Sequence, residues 1–251
     1  QSIFQAPRLV RVTAMTKLAV IGDIHAHFKY LDQVLDRIRK RRVDGILLVG
    51  DLGSHHLGQR RQRTPALDAR YHASLDKLFQ RLNGLRLPVC WVPGNHDLPD
   101  LRGDGGNIDH GSGTIGKLRI AGIGGAGPDD FGFCYEWEED EIRARTLDPA
   151  DVILSHCPPA RTALDLEVGG RHVGSEAIRE RAEAHVGFLV CGHIHEAVGA
   201  EQIGDCLCMN VGGLGLPYGR PQVGFIERGP DGDVATHEDL RSEEIQTWRR
   251  R

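Results

Sequence analysis

The chain has 251 residues, 40% hydrophobic and 26% charged, ordinary usage for a folded chain long enough to bury its own core. A formal charge of −4 gives no global basic field for nucleic acid or an anionic membrane, and no apolar run approaches the ~18 residues a membrane span needs. Six cysteines without a Cys-x-x-Cys pair read as reduced thiols of a cytoplasmic protein, not as a disulfide scaffold. Residues 1–14 hold no apolar stretch long enough for a signal peptide and read as a leader or added segment. Residues 15–251 show no repeat or linker and read as a single domain.

Leu18–Ile21 is a short apolar run, read as a buried strand. Phe28, Leu31, Val34, Leu35 and Ile38 then fall on one helical face, with cationic Arg39–Arg42 in the last turn, where a helix C-terminus favours positive charge. Gly45–Val49 is a second strand, and a polar loop runs from Ser54 to about Ala66. A second amphipathic helix carries Leu67, Tyr71, Leu75, Leu78, Phe79 and Leu82, and Val89–Val92 is a third strand. This βαβαβ grammar predicts parallel strands joined by right-handed crossovers. Leu118–Ile123, Val152–Leu154 and Val186–Cys191 read as further strands, with a Ser175-capped helix before the last of them. The glycine-rich Gly122–Gly127 run lacks P-loop spacing and reads as hairpin turns. Apolar runs at Cys206–Met209 and Val223–Ile226 follow, then a Gly-Pro-Asp-Gly turn at 229–232, and Arg249–Arg251 reads as a frayed end.

Thirteen histidines outnumber every other ring type, and their placement is not random. Five segments just past the ends of apolar runs carry metal-binding side chains: Asp23-x-His25, Gly50-Asp51, Gly94-Asn95-His96-Asp97, His156, and Gly192-His193-x-His195. In open α/β sheets ligands bind at that edge, so parallel neighbours would bring the five ends to one rim. The preceding glycines let the chain turn off each strand. Residues i and i+2 of an extended chain point the same way, which pairs Asp23 with His25 and His193 with His195. Without His96 the donors are two carboxylates, one amide oxygen and four imidazoles. That is more than one zinc takes and suits two ions sharing a carboxylate. The mixed nitrogen and oxygen set fits Mn, Fe or Zn. A helix cap would explain Asp23 or Asp51 but none of the histidines.

Taken in this order, the five motifs resemble the calcineurin-like metallophosphoesterase superfamily, over roughly residues 17–215, and small bacterial phosphodiesterases within it most of all. The His156-Cys-Pro-Pro and Asn210-x-Gly-x-Leu-Gly segments are similar to theirs as well. The resemblance implies an α/β fold with two β-sheets sandwiched between helices. It implies two divalent or mixed-valence transition-metal ions, one held by Asp23, His25, Asp51 and His195 and the other by Asp51, Asn95, His156 and His193, with Asp51 bridging. It implies a phosphoester hydrolase, a phosphodiesterase in particular, with a metal-bridging hydroxide as nucleophile and His96 as general acid. The alternatives are a phosphomonoesterase on the same site and a non-catalytic scaffold of the same fold. Asp51 is followed by Leu-Gly-Ser where protein phosphatases of the superfamily carry Asp-Arg-Gly, which disfavours phosphoprotein substrates.

The expected substrate is a small phosphoester, with nucleotides among the candidates; nucleic acid and membrane are disfavoured, and the oligomeric state stays open. Arg60, Arg61 and Arg63, in the loop leaving the Asp51 strand, are candidate clamps for a distal phosphate, because guanidinium binds phosphate bidentately. His55 and His56 in the same loop are candidate substrate contacts. A solvated loop is the plain reading of all five.

Overall fold

The computed structural model describes residues 15–53, 63–99, 101, 106–128, 131–215 and 217–251. The leader expected over 1–14 lies outside these residues. Twelve strands and four helices are defined among them. In chain order they are β1 (Thr16–Ile21), α1 (Leu31–Arg41), β2 (Gly45–Leu48), α2 (Pro65–Asn83), β3 (Val89–Trp91), β4 (Ser112–Ile115), β5 (Leu118–Ile123) and α3 (Glu139–Ala144). There follow β6 (Val152–Ser155), α4 (Glu176–Glu183), β7 (Gly187–Cys191), β8 (Gly199–Ile203), β9 (Cys206–Asn210), β10 (Gln222–Gly229), β11 (Gly232–Asp239) and β12 (Glu244–Arg249).

Two six-stranded mixed sheets result, in the orders β12-β11-β10-β1-β2-β3 and β4-β5-β6-β7-β9-β8. β1, β2 and β3 are parallel, as are β5, β6, β7 and β9, while β10 runs antiparallel to β1. The two-residue period of the strands builds the layers. On β1, Leu18 and Val20 join a core shared with Phe188 and Val190 of β7 and Leu207 and Met209 of β9, so this core lies between the sheets. The alternate residues Ala19 and Ile21 pack instead with Leu31, Val34, Ile38, Tyr71 and Leu78 of α1 and α2. On the other sheet, Leu189, Cys191, Cys206 and Cys208 face Ile142 of α3 and Ile178 and Ala182 of α4. Strands buried on both faces explain the near-continuous apolar runs. All six cysteines are free and buried, as the composition suggested.

Several expectations are corrected. The five ligand-bearing ends do not belong to neighbours in one sheet: three follow β1, β2 and β3, and two follow β6 and β7 of the second sheet. α1 begins at Leu31, and Phe28 sits before it in a turn, packed on the same core. The Gly122–Gly127 run is not a hairpin. Gly125 and Gly127 lie against Trp137, whose ring occupies the space a Cβ at either position would fill, and the Trp137 indole N–H donates to the Gly124 carbonyl at 2.8 Å. The C-terminus is not frayed. β12 pairs with β11 through Ala235↔Trp248, Arg250 forms an ion pair with Asp233 at 3.0 Å, and the Arg251 N–H donates to Gln202. β12 escaped detection because it is mostly exposed, so backbone pairing and not apolar periodicity holds it. α3 has six residues, too few for a helical pattern, and is fixed by a reciprocal Glu138–Glu141 capping box.

Candidate metal centre and active site

Three of the five strands feeding the rim, β1, β2 and β7, stop where the chain takes an unusual turn. Asp23, His25, Asp51 and His193 all adopt positive φ, between 48° and 68°. Left-handed backbone at a non-glycine residue costs on the order of 1–3 kcal/mol and persists where the surroundings enforce it. The extended i, i+2 geometry expected for Asp23 with His25, and for His193 with His195, is therefore not how these pairs converge. A tight left-handed turn after the strand aims them instead. The glycines also divide into two roles. Gly50, at φ 104°, supplies a backbone conformation and also room beside His156 Nδ1, whereas Gly94 and Gly192 supply room alone. A Cβ on Gly94 would sit 2.1 Å from Asp51 Oδ1, and one on Gly192 would sit 2.2 Å from Asp23 Oδ2.

The seven predicted donors come together. His195 Nε2 lies 3.2 Å from both Asp23 Oδ1 and His25 Nε2. Asn95 Oδ1 lies 2.9 Å from His156 Nε2 and 3.2 Å from His193 Nδ1. Asp51 stands between the two groups, its Oδ2 3.5 Å from His25 Nε2 and 3.6 Å from His156 Nε2. Two clusters have their donor atoms mutually within 4.8 Å: Asp23, His25 and His195, and Asp23, Asp51 and His156. These residues are buried except His193, which is partly exposed.

The donor chemistry fits a cation. His156 Nδ1 donates to the Val49 carbonyl at 2.7 Å, so in the tautomer with its proton on Nδ1 the Nε2 is a lone pair. That lone pair faces the carbonyl oxygen of Asn95, so two acceptors meet at 2.9 Å. A positive ion satisfies both. His195 Nδ1 is also buried without a hydrogen-bond partner among the described residues. Burial pushes the His25 ring down to about 4 and the His193 ring down to about 3, which keeps both rings neutral near pH 7. Burial would raise the Asp51 carboxyl, but His156, His96 and His25 and the backbone N–H of His96 outweigh it and hold it low. Asp23 is held low by His195 in the same way, against its own burial.

Buried hydrogen bonds fix this arrangement. The Asp97 carboxylate accepts from the backbone N–H groups of Leu52, Gly53 and Gly94 and from the Tyr71 hydroxyl, all within 3.1 Å. It thereby ties the loop after β2 to the loop after β3. Burial, then the Asp51 charge, raise its carboxyl above the usual range, and the backbone donors counter them. Asn210, at the end of β9, donates to the carbonyls of Leu164, Gly192 and Ile194, bracketing the His193 turn. The backbone N–H of His193 donates to Asp23 at 3.0 Å and that of His96 to Asp51 Oδ1 at 2.9 Å.

The cluster floors a cleft of about 450 Å³. His96 lines it, its ring 5.3 Å from that of His25 and 4.2 Å from that of Phe133. Phe133, Glu167, Glu196 and Tyr218 line it too, and sequence reasoning missed all four. Only Glu196, directly after His195, lies beside a motif. Arg63 stands apart: it is exposed and makes a bidentate ion pair with Asp68 in the first turn of α2, at 2.9 and 3.1 Å. Arg60, Arg61, His55 and His56 lie outside the described residues.

Two mixed sheets between helices, with carboxylate, imidazole and amide donors gathered where strands of both sheets end, define a candidate metal-binding α/β protein. Residues 16–197 match the calcineurin-like phosphoesterase family, and the chain belongs to it. The protein MJ1162 of Methanocaldococcus jannaschii is 31% identical over 138 residues, which cover 49% of this chain and 63% of that one. The match thus spans under two thirds of the archaeal protein's length. Among solved structures, TT1561 of Thermus thermophilus superposes with a TM-score of 0.55 at 15% identity, over 95% of this chain and all of the other. Yfce, a phosphoesterase from E. coli, superposes with a TM-score of 0.51 at 19% identity, over 94% of this chain and all of the other. At these identities the structural likenesses establish the fold. No helix among the described residues is long and apolar enough to cross a membrane.

Proposed function

We propose that the chain is a dinuclear metal-dependent phosphoester hydrolase acting on phosphodiesters. The observation that carries this reading is the position of Asp51 Oδ2, within 3.6 Å of an imidazole from each donor group. In it, Asp23, His25, Asp51 and His195 hold one ion, Asp51, Asn95, His156 and His193 hold the second, and Mn, Fe and Zn suit the donors. When bound, two such ions supply an activated water and offset charge on the phosphoryl group.

The protein's own residues do the rest. His25 and His193, neutral through burial, present lone pairs near pH 7 without first losing a proton. His96 stands on the cleft wall with no ligand duty, its Nδ1 without a hydrogen-bond partner among the described residues. It protonates the departing oxygen. Asp97 and Asn210 keep the loops from shifting. The preference for diesters follows from charge. No Lys or Arg is found among the described residues lining the cleft, whereas Glu167 and Glu196 are. A phosphodiester brings one negative charge into that setting, and a monoester dianion brings two.

The test is turnover after loading with Mn, Fe or Zn. Bis(p-nitrophenyl) phosphate is expected to be hydrolysed with a higher kcat/KM than p-nitrophenyl phosphate. The reverse order would assign a monoesterase, and no turnover of either with any of the three metals would overturn the hydrolase reading.

A further inference from the structure

With the phosphoryl group over the donor cluster, the ester groups of a substrate are what meets the walls of the cleft. Those walls differ from the floor. Val173, Ile194 and Pro217, which have no part in the phosphoryl chemistry, line them together with Phe133 and Tyr218. The two carboxylates on the walls are engaged by their own loop. Glu196 accepts from the Val168 N–H at 3.0 Å, and Glu167 is paired with Arg171. No Lys or Arg lines the cleft among the described residues. A hydroxyl or a base edge held against such walls gives up water without gaining a new partner. An alkyl chain gives up nothing and gains from its burial.

The mouth of the cleft gives an independent pointer. Apolar side chains continue outward from both walls into solvent. Phe131, 62% exposed, stacks on Phe133 with ring centroids 5.9 Å apart. On the other wall Tyr218 is exposed, and Val168, 73% exposed, lines the adjoining cavity with it. Single exposed apolar residues are ordinary, but these three adjoin one opening, as they do where a groove takes an apolar ligand.

We infer that the cleft takes phosphodiesters of apolar alcohols, with an alkyl chain lying along Phe133 toward the apolar rim. The inference rests on the phosphodiesterase reading of the cleft. Phe133 is then a specificity residue. Its ring centroid is 4.2 Å from that of His96, so the chain on this side is the group expelled. In the hydrolysis a water oxygen bonds to phosphorus, the P–O bond to the chain breaks, and the His96 proton ends on the released alcohol. The proton lost by the water returns to His96 through solvent. An alkoxide leaves poorly without a proton, so this pairing of chain and His96 suits the chemistry.

The experiment is calorimetric binding of alkyl methylphosphonates, monoanions that resist hydrolysis, to the Mn-loaded full chain. The ethyl, butyl and hexyl esters are compared with a length-matched diethylene glycol ester and with a uridine 5′-ester. A fully buried CH2 is worth roughly fourfold in affinity. With the four added CH2 groups about half buried, the hexyl ester is expected to bind at least about tenfold tighter than the ethyl ester. It is also expected to bind tighter than the glycol and uridine esters and to be displaced by excess inorganic phosphate. The gain from ethyl to hexyl is expected to fall below about threefold in Phe133→Ala and to survive in Phe133→Leu. Equal binding of ethyl and hexyl esters overturns the inference. So does a tighter glycol or uridine ester, a hexyl ester that phosphate does not displace, or a gain undiminished in Phe133→Ala. If the chain-length gain holds but no diester is turned over, the apolar specificity stands and the hydrolase reading falls. If bis(p-nitrophenyl) phosphate is turned over without any chain-length gain, the specificity alone falls.

Discussion

Asp97→Asn perturbs the centre without touching a ligand. The native carboxylate receives four donors on two oxygens: Leu52 N–H, Gly53 N–H and the Tyr71 hydroxyl on Oδ1, and Gly94 N–H on Oδ2 at 2.8 Å, with Leu52 N–H also within 3.1 Å of Oδ2. The amide keeps three donors if its oxygen takes the Oδ1 position. Its NH2 group then meets the Gly94 N–H, donor against donor. One hydrogen bond to a charged group is lost, about 1.5–3 kcal/mol, and a buried N–H is left unsatisfied, about 1–3 kcal/mol more. The expected loss is about 3–5 kcal/mol, or roughly 10 °C in Tm at about 2–4 °C per kcal/mol for a chain of this size. Gly94 precedes Asn95, and a Cβ on Gly94 would already collide with Asp51, so a shifted loop moves candidate ligands of both proposed ion positions. Mn affinity is expected to fall together with stability. Urea unfolding of the metal-free protein and Mn titration measure the two effects. Asp68→Asn, which breaks only the exposed pair with Arg63, is the control and is expected to cost under about 1 kcal/mol. An Asp97→Asn loss no larger than the control's would refute the view that this carboxylate locks the two loops together.

Asp51→Asn is expected to weaken metal binding at both positions, because Asp51 Oδ2 adjoins His25 and His156 alike, whereas His25→Ala is expected to weaken mainly one. Equal losses by elemental analysis would leave the bridging role unsupported. His96→Asn is expected to retain metal, to slow hydrolysis of alkyl diesters by about 10²–10⁴, and to slow nitrophenyl esters much less, since nitrophenolate leaves without a proton. A rate loss independent of leaving-group pKa contradicts the proton-donor role. His237 sets an acid limit: the unfolded chain takes up this proton near 6.5 and the folded one only near 4, because the ring is buried. The unfolded state therefore binds more protons between those values, and the stability present above pH 6.5 is lost as pH falls toward 4. Metal-free wild type is expected to lose about 2–3 kcal/mol more than His237→Gln between pH 7.5 and 4.5 by urea unfolding, and equal losses would contradict it.

The candidate ligand set was legible because apolar strands end abruptly in residues of a different chemistry. Asp23, Asp51, Asn95, His156 and His193 each follow a run buried on both faces, and burial on both faces is what makes such runs conspicuous. The manner of convergence was not legible. Left-handed φ at Asp23, His25, Asp51 and His193 is imposed by contacts across two sheets, and no local propensity announces it. Gly94 and Gly192 looked like turn residues, yet they are needed because a carboxylate from another strand fills the place of their Cβ. Asp97 stood in plain view two residues after Asn95, but its role depends on Leu52, Gly53 and Tyr71, 26 to 45 residues away. β12 and α3 were hidden for opposite reasons. The first is an exposed edge strand without apolar alternation, and the second is too short to show a period.

The most direct measurement is the metal content of the saturated chain. Metal-free protein titrated with Mn, freed of excess ion and analysed for metal and protein together, is expected to hold two ions per chain, because seven donors converge and Asp51 Oδ2 adjoins an imidazole from each group. Electron paramagnetic resonance on the same sample is expected to show coupled Mn pairs. Saturation at one ion per chain, with an uncoupled Mn spectrum, would contradict a dinuclear centre.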